Sequence, residues 1–268
     1  MKIGIAQMNS QDNKSINLIN AEKHIERLVM EGAELIVLPE YFNFLGSEEQ
    51  ERENAEPING ESLNRIKKKA IQYKVYICIG SFLERENNNI YNTSIVFDID
   101  GEIIAKYRKI HLFDVNNPGS IVHMESKIIT PGQEVTVFKI KDITFGIATC
   151  YDLRFPEIFR KLLNLGAEVF LLPAAFHLET GRDHWEVLLR ARAIENLAYV
   201  IAAAQWGFHP INNTCYGHSM AINPWGTILA QAADGVSNIT VNIDKNTIIK
   251  IRDTFPVLKH RRSDIFGI

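Results

Sequence analysis

The stretch G-A-E-L-I-V-L-P-E-Y-F at residues 32–42 returns as G-A-E-V-F-L-L-P-A-A-F at residues 166–176, with Gly, Ala, Glu, Leu, Pro and Phe in the same places. In both, glycine precedes and proline ends a short apolar run, the pattern of a strand buried on both faces. Three further echoes follow the same order. Ile3-Gly4-Ile5-Ala6 matches Phe145-Gly146-Ile147-Ala148, residues 75–82 match 199–205, and Y-N-T-S-I-V-F-D-I-D-G-E-I-I-A at 91–105 matches Y-G-H-S-M-A-I-N-P-W-G-T-I-L-A at 216–230. One echo could be chance. Four in order predict two copies of a strand–helix–strand–helix–strand–hairpin unit, too few for a solenoid.

In the first copy, periodicity predicts strands at 2–8, 35–38 and 75–82 and a hairpin of 91–97 with 102–106. Helices are predicted at 13–30, with Gly32 just past the end, and at 61–73, with a basic outer face. Each copy then makes a mixed sheet with helices on one face and an apolar other face. Two such sheets bury each other, which predicts an α/β four-layer α-β-β-α sandwich of two pseudo-symmetric halves. Neither half could bury its inner face alone, so residues 1–268 are expected to form a single domain. From about residue 256 a basic arm, Lys259-His260-Arg261-Arg262, is expected to lie on another surface, such as a second subunit.

Of the 268 residues 46% are hydrophobic and 23% charged, and 29 Lys+Arg against 32 Asp+Glu give a net charge of −3. This is ordinary globular composition, with no electrostatic case for nucleic acid or a membrane surface. No apolar run approaches the roughly 18 residues of a spanning helix. No signal-peptide pattern opens the chain, so a cytoplasmic location is expected. Cys78, Cys150 and Cys215 cannot all pair within the chain, follow no zinc spacing, and are expected to be reduced thiols. Neither a G-x-G-x-x-G nor a phosphate-binding G-x-x-x-x-G-K-[ST] is present.

The two copies differ where chemistry is expected. Leu38-Pro39-Glu40 faces Leu172-Pro173-Ala174, so a carboxylate stands at one sheet's carboxyl edge and not at the other. Ala148-Thr149-Cys150-Tyr151-Asp152 puts a thiol where the first copy has Gln7-Met8-Asn9. Cys150 ends a strand before a segment that turns helical near Pro156, where backbone N–H groups can receive an oxyanion. Cys78 lies inside an apolar run and Cys215 in a polar loop beside the hairpin. Tyr107-Arg108-Lys109-Ile110-His111 follows the first hairpin, and the second half has no such cluster. It opens an irregular stretch, about 108–132, of a length usually associated with function.

Together these motifs resemble the nitrilase superfamily of carbon–nitrogen hydrolases along essentially the whole chain. The resemblance rests on L-P-E-Y-F at 38–42, Y-R-K-I-H-L-F-D at 107–114, A-T-C-Y-D-L-R-F-P-E at 148–157, H-W-E-V-L-L-R-A-R-A-I-E-N at 184–196, Y-G-H-S-M-A-I-N-P-W-G at 216–226 and P-V-x-x-x-R-R-S-D at 256–264. It implies the same sandwich, a homodimer or higher homo-oligomer, no metal or organic cofactor, and a Glu–Lys–Cys triad on Glu40, Lys109 and Cys150. A second family glutamate falls on Glu125. It either holds Lys109 or assists proton transfer.

A thiol with pKa near ~8.5 is a poor nucleophile at neutral pH until a base or cation acts on it. The implied roles suit that need. Glu40 takes the thiol proton and later activates water, Lys109 and the Tyr151 N–H stabilise the oxyanion, and Cys150 carries a thioester. The motifs are most similar to the amidase branch that includes deaminated glutathione amidase and omega-amidase. That implies a small carboxylate-bearing amide as substrate and ammonia as product. An anionic substrate needs a cationic anchor. Arg154 is the first candidate, its other reading being an internal ion pair with Asp152 or Glu157. Arg182 and His177 follow. Phe42 and Phe176 either wall the pocket or belong to the core, and His184 reads as a hydrogen-bonded structural histidine. The alternatives are a nitrilase or N-carbamoyl amino acid hydrolase of the same superfamily, or a non-catalytic α/β binding protein with an inert thiol.

Overall fold

Gly4 and Gly146, at equivalent places in the two copies, both lie beneath a helix. A Cβ at Gly4 would come within 2.9 Å of Leu28, and one at Gly146 within 3.0 Å of Leu162. The computed structural model describes residues 1–116, 122–210 and 213–267. Its strands are β1 (Lys2–Gln7), β2 (Leu35–Val37), β3 (Tyr76–Glu86), β4 (Asn89–Phe97), β5 (Ile103–Arg108), β6 (Asp114–Asn116), β7 (Val122–Met124), β8 (Thr136–Ile140), β9 (Ile143–Ile147), β10 (Val169–Ala174), β11 (Tyr199–Ala204), β12 (Trp206–His209), β13 (Asn213–Tyr216), β14 (Met220–Ile222), β15 (Ile228–Gln231) and β16 (Ser237–Asn242).

Two six-stranded sheets form, ordered β16-β1-β2-β3-β4-β5 and β15-β14-β11-β10-β9-β8. The three central strands of each copy, β1-β2-β3 and β9-β10-β11, are parallel, and the hairpin extends each sheet antiparallel. Alternation along β1 divides its side chains. Ile3 and Ile5 join the core shared with Phe145, Ile147, Leu171 and Ala202 of the other sheet. Ala6 packs against Leu18, Ile25 and Leu28 of the helix Lys14–Met30. That helix starts where Asn13 Oδ1 accepts the Ile16 N–H at 3.1 Å and ends before Gly32, whose φ of +83° suits glycine. The second sheet carries the helices Pro156–Asn164 and Glu186–Asn196. The architecture is the expected α-β-β-α sandwich.

The repeat does not announce β8 and β16. Strand β8 follows the first copy's hairpin but pairs antiparallel with β9 of the second sheet. Strand β16 follows the second copy's hairpin but pairs with β1 of the first. Each copy thus completes the other's sheet.

Two local expectations are corrected. Cys215 lies in strand β13, opposite Gly207 of β12, and is buried rather than in a polar loop, because β12 and β13 form a small sheet of their own. The stretch after β5 is not structureless: it holds the β6–β7 pair and a 3-10 turn at Glu125–Lys127, with residues 117–121 outside the described residues. The C-terminal arm rests at least partly on its own chain, since Arg261 donates to Asn164 Oδ1 at 2.8 Å and Leu258 packs on the main core. Among the described residues no helix is long and apolar enough to cross a membrane.

Candidate active site

Glu40, Lys109, Glu125 and Cys150 meet in one cleft of about 560 Å³, open to solvent. Glu40 stands just beyond β2. Its position is fixed by the next turn, where Tyr41 takes φ +57°, its N–H donates to Ser81 Oγ at 3.1 Å, and Phe42 N–H donates to Ser81 O at 3.1 Å. Gln205, at the end of β11, donates to the Glu40 carbonyl at 2.9 Å. The Glu40 carboxylate is then held on three sides. Asn92 Nδ2 donates to Oε1 at 2.8 Å, Lys109 Nζ to Oε1 at 3.2 Å, and the Ala175 N–H to Oε2 at 2.7 Å.

Lys109 follows β5, and its backbone is pinned on both sides. Its N–H donates to Asn92 O at 2.9 Å and its carbonyl accepts Gly132 N–H at 2.8 Å. The ammonium is 2% exposed and bridges the two glutamates, reaching Glu125 Oε2 at 2.8 Å. Burial pulls its pKa down, but the charges of Glu125 and Glu40, with Cys150, outweigh burial and hold it well above the ordinary lysine value. Glu125 shows the converse balance. Burial raises its pKa, while Lys109, the Phe113 N–H at 2.7 Å and Asn92 at 3.1 Å leave it below the usual carboxylate range. Tyr41 OH adds a donor at 3.2 Å. Lys109 therefore stays a cation and Glu125 an anion across neutral pH.

Cys150 opens a 3-10 turn, Cys150–Arg154, with φ +48°, a conformation uncommon for a residue with a side chain. Asp152 anchors this turn from beneath. It accepts from Thr149 N at 2.8 Å, Tyr107 OH at 2.5 Å and His111 N at 3.0 Å, and its Oδ1 lies 2.7 Å from His111 Nδ1. One buried carboxylate so couples the thiol's turn to the segment carrying Lys109. Burial raises the Cys150 pKa well above the ordinary thiol value and the Glu40 charge adds to it. Lys109 and the Ala175 N–H oppose them. The resting group is a thiol, in the same cleft as Glu40. Burial pushes Cys78 up to about 12 and raises Cys215 as well, and neither lines the cleft.

The other expected residues divide. Tyr151, Arg154 and Phe176 line the cleft. The Arg154 guanidinium lies 5.0 Å from the Phe176 ring centre and 5.8 Å from that of Tyr151, with Nη1 3.2 Å from His184 Nδ1. Asp152 is committed elsewhere, and among the described residues no carboxylate is within ion-pair distance of Arg154. The internal pair is thus not formed. Phe42 is corrected: it is fully buried against the helices of the first half and does not line the cleft, because the Tyr41 turn sends it back toward the core. Arg182 is exposed and off the wall. His177 is on the wall, and burial lowers its pKa to about 4 with help from His123, which leaves the imidazole neutral.

Sequence reading missed Asn92, Tyr41, Glu51, Phe113 and His123. Asn92 was detectable as a departure from the repeat, since Tyr91-Asn92-Thr93-Ser94 aligns with Tyr216-Gly217-His218-Ser219. Tyr41 departs in the same way from Ala175. His123 and Glu51 lie outside the repeated blocks and carry no such signal. Among the described residues no group of three or more His, Cys, Asp or Glu is arranged to hold a metal ion.

The family model described as carbon-nitrogen hydrolase matches residues 2–253. A deaminated glutathione amidase of Dictyostelium discoideum is 39% identical over 100% of this chain and 96% of its own length. A human omega-amidase is 36% identical over 100% of this chain and 97% of its own. The crystal structure of a Saccharomyces cerevisiae member of branch 10 of the nitrilase superfamily superposes with a TM-score of 0.89 and 34% identity, covering 98% of this chain and 96% of that one.

Proposed function

The chain belongs to the carbon–nitrogen hydrolase family, and from that premise we propose that it is a cysteine-dependent amidase that hydrolyses the terminal amide of a small carboxylate-bearing substrate. The observation that carries this reading is the placing of Lys109 between Glu40 and Glu125 in the cleft that also holds Cys150.

Cys150 Sγ attacks the amide carbon as its proton passes to Glu40. That transfer neutralises the carboxylate that raises the thiol's pKa, so the nucleophile is formed only as it is used. The tetrahedral oxyanion is received by the Lys109 ammonium and the Tyr151 N–H. Glu40 returns the proton to the nitrogen, the C–N bond breaks, ammonia leaves, and a thioester remains on Cys150. Glu40 then takes a proton from water, hydroxide adds to the thioester, and the acid is released with the proton back on sulfur. Glu125 touches no reacting atom in this scheme. It positions Lys109.

The Arg154 guanidinium anchors the substrate carboxylate, with Tyr151 and Phe176 as the apolar sides of the channel. Relatives named deaminated glutathione amidase and omega-amidase favour a substrate like deaminated glutathione or 2-oxoglutaramate. A cytoplasmic homodimer or higher homo-oligomer, as a single domain, completes the reading. The test is ammonia release from a panel of amides, nitriles and N-carbamoyl compounds, with mass spectrometry of the trapped acyl group. Ammonia from amides without carbon dioxide, and an acyl group on Cys150, is expected. A label on another residue sinks the mechanism.

A further inference from the structure

The scheme above leaves one acid in the cleft without a task. Glu51 is the one buried residue of the helix Glu48–Asn54, 7% exposed, and it lines the cleft beside Tyr41 and Leu45. A capping box between Ser47 and Gln50 fixes the start of this helix, so the side chain is held by a built turn. Among the described residues no Lys, Arg or His forms an ion pair with it. Tyr41 and Glu40 face it from the loop after β2, Glu48 from its own helix and Glu125 from the 3-10 turn. Lys109, a cation on the same wall, is shared by Glu40 and Glu125, and the His123 pKa is lowered by burial. Burial first, then the charges of Glu125, Glu40 and Glu48, raise the Glu51 pKa to about 8. At neutral pH Glu51 is mostly a neutral acid, and a neutral carboxyl has a proton to donate. The same wall holds Asn213, whose Oδ1 is buried with no hydrogen-bond donor among the described residues.

We propose that Glu51 is a specificity-determining residue whose carboxyl donates a hydrogen bond to an acceptor oxygen on the acyl part of an anionic substrate. This rests on the amidase reading and deepens it. An ionised Glu51 would be a third carboxylate in the cleft and would repel such a substrate. An amide bearing an ammonium group would be favoured by the ionised form instead, so the two substrate classes must respond to pH in opposite directions.

The experiment measures ammonia release by the full chain from 2-oxoglutaramate, uncharged butanamide and cationic 4-aminobutanamide between pH 6.5 and 9. The wild-type KM for 2-oxoglutaramate is expected to rise above about pH 8, approaching tenfold per unit. Glu51→Gln, which keeps a donor but cannot ionise, should remove that rise. Glu51→Leu, which removes the donor, should raise the KM at pH 7 about tenfold or more, with a smaller change in kcat and little change for butanamide. A KM for 2-oxoglutaramate that is the same in all three proteins overturns the proposal. So does an equal loss on the charged and uncharged amides, or a KM for 4-aminobutanamide that falls with pH through Glu51 while that for 2-oxoglutaramate stays flat. If the wild type releases ammonia from no amide, the amidase reading fails and this proposal fails with it. Turnover by wild type with unaltered Glu51 variants overturns this proposal alone.

Discussion

The ends of β2 and β10 run through the same sequence frame, yet one delivers a side chain to the cleft and the other a backbone group. After Leu38-Pro39 comes the Glu40 carboxylate, and after Leu172-Pro173 come two alanines, the second of which donates its N–H to Glu40 at 2.7 Å. The same division recurs at the ends of β1 and β9. Met8 is buried and bridges to Gln205, whereas Cys150 stands at a positive φ with its thiol in the cleft. Duplication placed equivalent strand ends on facing sheets, and divergence gave them complementary parts. The first half brings Glu40, Asn92 and Lys109, and the second brings the thiol, the Ala175 N–H and Arg154. The site exists only where the halves disagree.

The sharpest way to break this division is to remove the thiol. Cys150→Ala should abolish measurable turnover with no loss of fold, while Cys78→Ala and Cys215→Ala retain most activity, as read by ammonia release and circular dichroism. Turnover surviving in Cys150→Ala would mean that the second half does not supply the nucleophile. Next comes the acid from the first half: Glu40→Gln should lower kcat by roughly 10²–10⁴-fold. Lys109→Met should lose activity and also about 3–5 kcal/mol of stability in denaturant unfolding, because it leaves Glu40 and Glu125 buried without their shared cation. Full stability in that variant would argue against the charge balance described above.

Arg154→Met is expected to weaken binding of a carboxylate-bearing amide by roughly 1.5–3 kcal/mol, with Arg154→Lys in between. An uncharged amide should be affected much less. Parallel losses on both would return Arg154 to a structural role. The smallest effect concerns His177. Its unfolded imidazole binds a proton near 6.5 and the folded one near about 4, so between those values the unfolded chain holds more protons. Stability is therefore full above 6.5 and falls as pH drops toward 4. His177→Gln should reduce that acid slope by roughly 1–2 kcal/mol in pH-dependent melting, allowing for its partial exposure. His24, His123 and His209, also lowered by burial, keep the rest of the slope.

The sandwich and the three residues Glu40, Lys109 and Cys150 were legible because each lies in or beside a repeated block whose frame shows what has changed, whereas Glu125 lies outside those blocks and was reached only through the family resemblance. Glu51 was not. S-E-E-Q-E-R-E-N at 47–54 reads as a solvated helix, polar on every face, and only tertiary packing selects one of its acids for burial. Phe42 misled for a related reason. Its place at a strand end equivalent to that of Phe176 suggests the cleft, but a single residue at positive φ turns the chain and reverses which side chain faces inward. Arg154 carried two readings at the sequence level, and they separated only once Asp152 was seen to be saturated by Tyr107, Thr149 and His111. Strands β8 and β16 escaped because partner choice over such distances leaves no trace in local periodicity.

The crossing of β8 and β16 has a consequence for how the molecule is made. Lys2 of β1 sits opposite Asn242 of β16, so one edge of β1 has no partner until nearly the whole chain has been synthesised. At ordinary translation rates that interval is about 10–50 s, far longer than a hairpin needs to form. The second sheet faces no such delay, since β8 pairs with the strand that directly follows it. The half made last is thus able to complete its sheet first, and the half made first waits with an open edge. During that wait the unpaired backbone edge of β1 is open to misassociation. Truncation just before residue 237 would extend the wait indefinitely.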